Sequence, residues 1–399
     1  MSGPLFTKPT RRTLVFWASL AAVNLAAGVV VSSRPDRLSD LETIQRWGRH
    51  WLLGGENIYL DPEWAVDYPP NAIAVLSPLG LLPLEVAHPL WMLLNVAMAL
   101  AAPYLAARFL RPHDPFRSIV LPILMFLCWG GVRTLTQFSL AALACSMAAL
   151  TLADRAHVAS GAWLGLAMMK PQVALPVFLW SVFTRRWMVA LTSVAVAGAL
   201  YAAFCLWSGG GPLAVSARYG EILATLHTGD AILAGISELR PLLVQLTGDP
   251  STAGAIAAWT ALSLLAAICV VGFQEGAVRT RVAYAAPPLV ACWSLLTFYH
   301  LTYGFIILLP VMMLLALNDS DASPLRRALF WLLQLGMMFD IPGLSRRAGL
   351  QDTAIYASVL SHADRFLVVT LFAGLVVLAW RESAPAEFGH RATETLSSD

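Results

Sequence analysis

Three places in this 399-residue chain set charged or hydrogen-bonding side chains inside otherwise apolar runs. GVRTLTQFS holds Arg133 and Gln137 four residues apart, on one face of a helix. AMMKPQVALP puts Lys170 and Gln172 on either side of a proline, and LLTFYHLTYG carries Tyr299, His300 and Tyr303. Ionisable groups in apolar runs are costly to hold, so each place marks a candidate site. A fourth concentration is acidic: Asp40, Glu42, Glu56, Asp61, Glu63 and Asp67 all precede Tyr68-Pro69-Pro70. Cations facing carboxylates suit a substrate with both a phosphate and an attacking hydroxyl. A carboxylate takes the hydroxyl proton as general base, and the cations absorb charge building on the leaving phosphate. Each residue also has a plainer role. Lys170 can snorkel to the interface, His300 can close a helix end, and Arg133 can pair with an acid for structure. Asp40 is equally a first-turn carboxylate favoured by the helix dipole, and Asp67 a turn residue.

The elements that must carry these residues are helices in lipid. The chain is 58% hydrophobic and 13% charged, against about a quarter charged in a soluble domain. Its apolar runs read as about twelve transmembrane helices, each needing ~20 residues. The fold class expected is all-α, a single polytopic membrane domain over residues 1–399. The run Thr13–Ser32 reads as a retained first span rather than a cleaved signal. Arginines at 108, 111, 117, 155, 185, 186, 279, 281, 326, 327 and 381 then fall on one side with the N-terminus, which the positive-inside rule makes the inner side.

In that layout the outer face collects a first loop at 33–86, a second at 208–251 and a third near 343–363. Residues 381–399 form an inner polar tail. Pro70–Pro83 is apolar but short and proline-rich. Counting it as a span would invert every later loop, so it reads as a juxtamembrane or re-entrant wall beside the acidic loop.

The first loop has its own local structure. Ser39 and Glu42 match a capping box. Leu38, Leu41, Ile44, Trp47 and Trp51 recur at helical spacing up to Gly54-Gly55. This predicts an amphipathic juxtamembrane helix lying on the outer membrane surface. The loop aromatics Trp47, Trp51, Tyr59, Trp64 and Tyr68 are candidates to stack on a sugar or acyl chain, or equally to form an interfacial belt.

Other chemistries find no support. The five cysteines lie in apolar runs without metal-ligand spacing. Asp319-Ser320-Asp321 is a DxD, but it falls in a short loop on the inner side. No nucleotide-binding or hydrolase motif is present, and a net charge of +2 offers nothing to nucleic acid. No metal and no cofactor are expected.

The order of motifs resembles a known family. An early Asp in an outer helix, GGxxxY, YPP followed by an apolar run ending LLP, TQFSLAALACSMAAL, GAWLGLAMMKPQVALPVFLW and YHLTYGFIILLP follow one another over residues 13 to 317. Together they resemble the polyprenyl-phosphate-dependent glycosyltransferases of the GT-C superfamily, specifically glycosyltransferase family 87. That family includes mannosyltransferases of phosphatidylinositol mannoside synthesis and arabinosyltransferases of cell-wall polymers. The usual Gly-Gln-x-Asn stands here as Thr136-Gln137-Phe138-Ser139, and the usual Trp near the histidine as Phe298-Tyr299.

The resemblance implies sugar transfer from a polyprenyl-phosphate donor to a glycolipid or glycan acceptor, at the outer face of the cell membrane and among its lipids. It implies Asp40 as general base. Lys170, His300 and Gln137 fall at polar motif positions that line the donor phosphate, with Arg133 and Gln172 beside them. Trp47, Tyr59, Asp67, Tyr68 and Tyr299 are left to the sugar or acceptor. With one base and no nucleophile, inversion is the simpler outcome. Mannose is the first expectation and arabinose the second. From a different class, a secondary transporter or flippase would require paired repeats with interrupted helices, and no such repeat is found.

Overall fold

The computed structural model describes residues 9–34, 39–61, 63–110, 116–226, 238–272, 277–298, 302–317 and 323–381. Among them every regular element is helical. The first helix, α1 (Arg11–Ser32), is capped by Thr10, whose hydroxyl accepts from the Thr13 N–H. Next comes α2 (Ser39–Gly54), the amphipathic helix expected in the first loop. It stops where Gly55 turns to φ +65, a conformation favouring glycine. A short α3 (Pro70–Leu76) runs into a 3₁₀ turn at Ser77–Leu81. The long α4 (Leu84–Leu110) and α5 (Phe116–Leu127) lead to a second 3₁₀ turn, Gly130–Arg133.

The centre of the molecule follows as α6 (Ser139–Leu152), α7 (His157–Ala167), α8 (Pro171–Phe183) and α9 (Trp187–Trp207). Beyond it lie α10 (Pro212–Leu226), α11 (Arg240–Thr247), α12 (Pro250–Gly272) and α13 (Ala277–Thr297). A third 3₁₀ stretch, Thr302–Leu308, opens into α14 (Leu309–Leu317). The chain closes with α15 (Pro324–Met338), α16 (Ile341–Arg347), α17 (Ala354–Ser358) and α18 (Ala363–Arg381).

Among the described residues, five stretches are long and apolar enough to cross a membrane: Arg11–Ser32, Leu84–Leu110, Trp187–Trp207, Pro250–Cys269 and Ala354–Ala379. A sixth is reached if Pro324–Met338 and Ile341–Arg347, bent by 42°, count as one span. The expected number of about twelve spans is therefore not confirmed. For the helices at the centre of the molecule the difference lies in length. The helices α5 to α8 have 12, 14, 11 and 13 residues, only about 16–21 Å at a rise of 1.5 Å per residue. A hydrocarbon core of ~30 Å is longer than any of them. The long helices turn apolar side chains outward, including Phe16 on α1, Leu191 and Leu206 on α9 and Trp259 on α12, as lipid-facing surfaces do.

Inside, helices approach closely through small residues and are tied by polar ones. Gly161 and Gly165 of α7 face α9. A Cβ on Gly161 would lie 2.8 Å from the Val189 carbonyl, and one on Gly165 2.9 Å from that of Ser193. This is the small-xxx-small approach of membrane helices. Asn24 of α1 donates to the carbonyls of Leu127 and Trp129, at 2.7 and 3.0 Å. Gln334 of α15 bridges the Trp129 indole and the Met125 carbonyl. Arg365 of α18 donates to the Glu238 carbonyl at 2.9 Å and contacts His362, which meets Gln245 of α11.

The Pro70–Pro83 region is not a span. Pro70–Leu81 is one of the shorter apolar helices, and Pro70, Asn71, Ala72, Ile73, Leu76, Ser77 and Gly80 are buried in protein. Its 3₁₀ turn lies under α2. Gln45 donates to the carbonyls of Leu79 and Leu82, at 2.9 and 3.1 Å. Arg49 donates to those of Gly80 and Leu82, at 2.6 and 3.0 Å. Carbonyls that a broken helix leaves open are thus satisfied by side chains, as buried backbone requires.

The apolar stripe of α2 departs from the expectation of a membrane-surface helix. Leu41, Ile44, Trp47 and Trp51 are buried within the protein. Trp51 stacks on Phe204 of α9 at 5.4 Å and donates to its carbonyl, while Trp207 donates back to the Trp51 carbonyl. A helix on lipid and a helix on protein share one period, so spacing alone could not separate them.

Candidate active site

Four breaks in the helical structure converge. The start of α2 brings Asp40, the residue before the cap of α6 is Gln137, and the break between α7 and α8 is Lys170. The end of the first loop brings Asp67 and Tyr68. The Gln137 side-chain amide donates to the Asp40 carboxylate, a direct link between the first loop and the bundle at this point. Lys170 is 7% exposed. Its ammonium lies 4.8 Å from the Tyr303 ring centre and 5.7 Å from that of Tyr68, within the range of cation–π attraction.

Electrostatics joins the same residues. Burial raises the Asp40 carboxyl above the ordinary aspartate value, and the Lys170 charge pulls it part of the way back. Asp67 is also raised, first by the surrounding protein and then by the Asp40 charge, and Lys170 opposes that rise as well. One cation thus serves two carboxylates. The three form a unit that desolvation alone would push toward neutrality.

Local sequence explains the positions. Pro171 occupies the first turn of α8, where a missing N–H costs nothing, and forces a break after Lys170. Gly131 lets the strand of backbone carrying Tyr303 come close. A Cβ there would lie 2.9 Å from Ile306 Cγ2 and 3.2 Å from the Tyr303 carbonyl. Tyr68 is held from two sides, its ring edge-on to Trp47 at 6.4 Å and to Phe138 at 5.8 Å. Its carbonyl accepts from the buried hydroxyl of Tyr59, which packs on Phe204 and Tyr219.

Not every residue singled out in the sequence comes to this centre. Arg133 pairs with Asn24 of α1, and its carbonyl accepts from Ser32 at 3.4 Å, so it locks the Gly130–Arg133 turn to α1. Gln172 stands in the first turn of α8, and its carbonyl accepts from Ser294 at 2.9 Å. Tyr59 is wholly buried and supports Tyr68 from behind. Trp47 is buried as a wall against Tyr68. Tyr299 and His300, like the DxD at 319–321, lie outside the described residues. Asp61 is taken up locally, accepting from the Glu63 N–H and the Trp64 indole. His50 contacts Glu56 at 2.6 Å at the far end of α2.

Sequence reasoning passed over Ser139, Trp91 and Gly131. The only signal for Ser139 was its place in the Gln-x-Ser motif. Among the described residues, no group of three or more His, Cys, Asp or Glu could hold a metal ion.

Residues 66–243 match the model of glycosyltransferase family 87. The match covers the end of the first loop, Gln137 and Lys170, and supports a membrane glycosyltransferase in general. No curated protein and no solved structure matches the chain.

Proposed function

We propose that this membrane glycosyltransferase moves a sugar, with mannose as first choice, from a polyprenyl-phosphate donor to a hydroxyl of a glycolipid or glycan. The reaction takes place at the outer face of the cell membrane, beside the 33–86 loop. The observation that carries the reading is the Asp40–Gln137–Lys170 cluster, at a helix start, just before a helix and at a helix break, lying partly within the stretch that matches the family.

Asp40 is the base. The acceptor O–H proton passes to its carboxylate while the acceptor oxygen bonds to the sugar C1. The C1–O bond to phosphate breaks, and its electron pair leaves with the phosphate. Inversion at C1 follows from a single displacement. A raised carboxyl suits this work, because a base is most effective when its pKa lies near the operating pH. Gln137 aims the carboxylate. Lys170 holds enough of it ionised to act, and Tyr68 closes one wall.

The test is a transfer assay. Purified protein in nanodiscs is given polyprenyl-phosphate mannose, then the arabinose analogue, with a glycolipid acceptor, and products are read by mass spectrometry. Asp40→Asn keeps the Gln137 contact but cannot take a proton. It should lower turnover by about 10²–10⁴-fold, the usual worth of a general base. Near-normal turnover in that variant would remove Asp40 from the role and turn attention to Asp67.

A further inference from the structure

The N-terminus of α6 is buried without a cap. Phe138 stands at the cap position and makes no side-chain hydrogen bond there. Among the described residues no acceptor lies on the N–H groups of Ser139, Leu140 and Ala141. All three residues are at most 2% exposed. A helix start leaves such donors open and carries the positive end of the dipole. Closing them off from water with no acceptor is costly.

Side chains at the same place repeat the pattern. Ser139 Oγ, which can donate, is buried with no partner among the described residues. So is the indole N–H of Trp91, whose ring lies 4.7 Å from that of Phe138. The other open atom there, Gln137 Oε1, is an acceptor and adds nothing to an anion site. Three backbone donors, a hydroxyl and an indole N–H around one helix start call for an anion. Asp40 does not fill that need, because its carboxylate accepts from the Gln137 side chain and not from the helix terminus.

We propose that the N-terminus of α6 binds the phosphate of the lipid-linked sugar donor, through the N–H groups of Ser139 to Ala141 and the Ser139 hydroxyl. This rests on the donor class proposed above and assigns its phosphate a place. Gln137 links the two halves of the reaction. Its side chain holds the base, and its backbone leads into the helix that holds the leaving group, with the sugar C1 between them. The donor phosphate carries one negative charge as a diester. It leaves with the C1–O electron pair as a monoester of higher charge. A helix terminus therefore stabilises the departing state more than the bound donor, which is the condition for lowering the barrier.

The experiment uses the full chain in nanodiscs. Binding is measured for polyprenyl monophosphate and, as a control without phosphate, for the matching polyprenol. Wild type and Asp40→Asn should both prefer the phosphate. Ser139→Asp puts a carboxylate where the anion sits. It favours the helix start, so it should melt no lower than wild type, and it should weaken the phosphate lipid by about a hundredfold or more. Ser139→Ala removes one charge-assisted hydrogen bond and should weaken it about tenfold or more.

Undiminished binding by Ser139→Asp, with wild type binding well, overturns the α6 site and leaves the donor class standing. Wild type that does not distinguish phosphate from alcohol overturns the donor class and this site with it.

Discussion

Removing the cation at the centre gives the sharpest test of how the site is built. Lys170→Met keeps length and apolar volume but leaves Asp40 and Asp67 facing each other without their common counter-charge. Truncating one partner of a buried charge set costs about 3–5 kcal/mol, and the two aromatic contacts add about 0.5–1 kcal/mol each. Asp67 is exposed, which lowers its share. A loss of roughly 3 kcal/mol is then expected near neutral pH, a fall in melting temperature of about 5 °C or more.

The pH dependence has a definite sign. Asp40 already titrates above the ordinary aspartate value of 3.8, so the folded state holds more protons than the unfolded one between those two values. Its contribution therefore falls as pH rises through the raised value. Without Lys170 the folded value rises further. The variant should lose stability toward neutral and alkaline pH and regain most of it on acidification. The ascending limb of its pH–rate profile should move to higher pH, since more alkali is needed to ionise the base. Melting curves in nanodiscs over a pH series, with Asp40→Asn and the double variant, give the coupling directly. A Lys170→Met protein with unchanged melting at all pH values, or one whose loss simply adds to that of Asp40→Asn, would refute the shared-cation account.

Four further outcomes follow from particular contacts. Gln137→Leu removes the donor to Asp40 and should cost about 10–100-fold in turnover, with the acceptor KM little changed; steady-state kinetics reads the split. Gly80→Val would set a Cβ 2.9 Å from the Gln45 carbonyl and 3.0 Å from the Arg49 N–H. Both are backbone atoms of α2, so the helix must move. A loss of about 1–3 kcal/mol from overpacking is expected, seen as lower melting and reduced transfer together. Asp61→Ala frees only the Trp64 indole and the Glu63 N–H. It should keep transfer within about twofold at wild-type expression, a surface-sized effect, whereas Asp67→Ala should shift the pH–rate profile of Asp40 toward lower pH by removing a neighbouring negative charge.

How much of this was legible depended on whether a residue's partner was near it in sequence. The helix at 39–54 could be read from its own period and from Gly54-Gly55, and Asp40 from its place in the first turn. Arg133 could not be assigned, because its partner is Asn24, more than a hundred residues earlier. The direction of the Leu41–Trp51 stripe was equally hidden, since Phe204 and Trp207 supply what it packs against. Gly161 and Gly165 likewise owe their part to α9, whose residues follow them by more than twenty positions.

The span count and the site went together for a deeper reason. Hydropathy registers apolar runs and is blind to the breaks between them. An unbroken membrane helix satisfies every internal backbone group by itself and has nothing left for a substrate. A helix that starts or stops within the protein leaves donors and acceptors open and can set a polar residue at that opening. Gln137 and Ser139 stand at the start of α6, Lys170 at the break before α8, and Tyr303 in a 3₁₀ stretch. The prolines and glycines nearby are what make those breaks possible. The residues that make twelve full-length spans hard to draw are thus the ones that leave polar groups open inside the protein, which is where the proposed site lies.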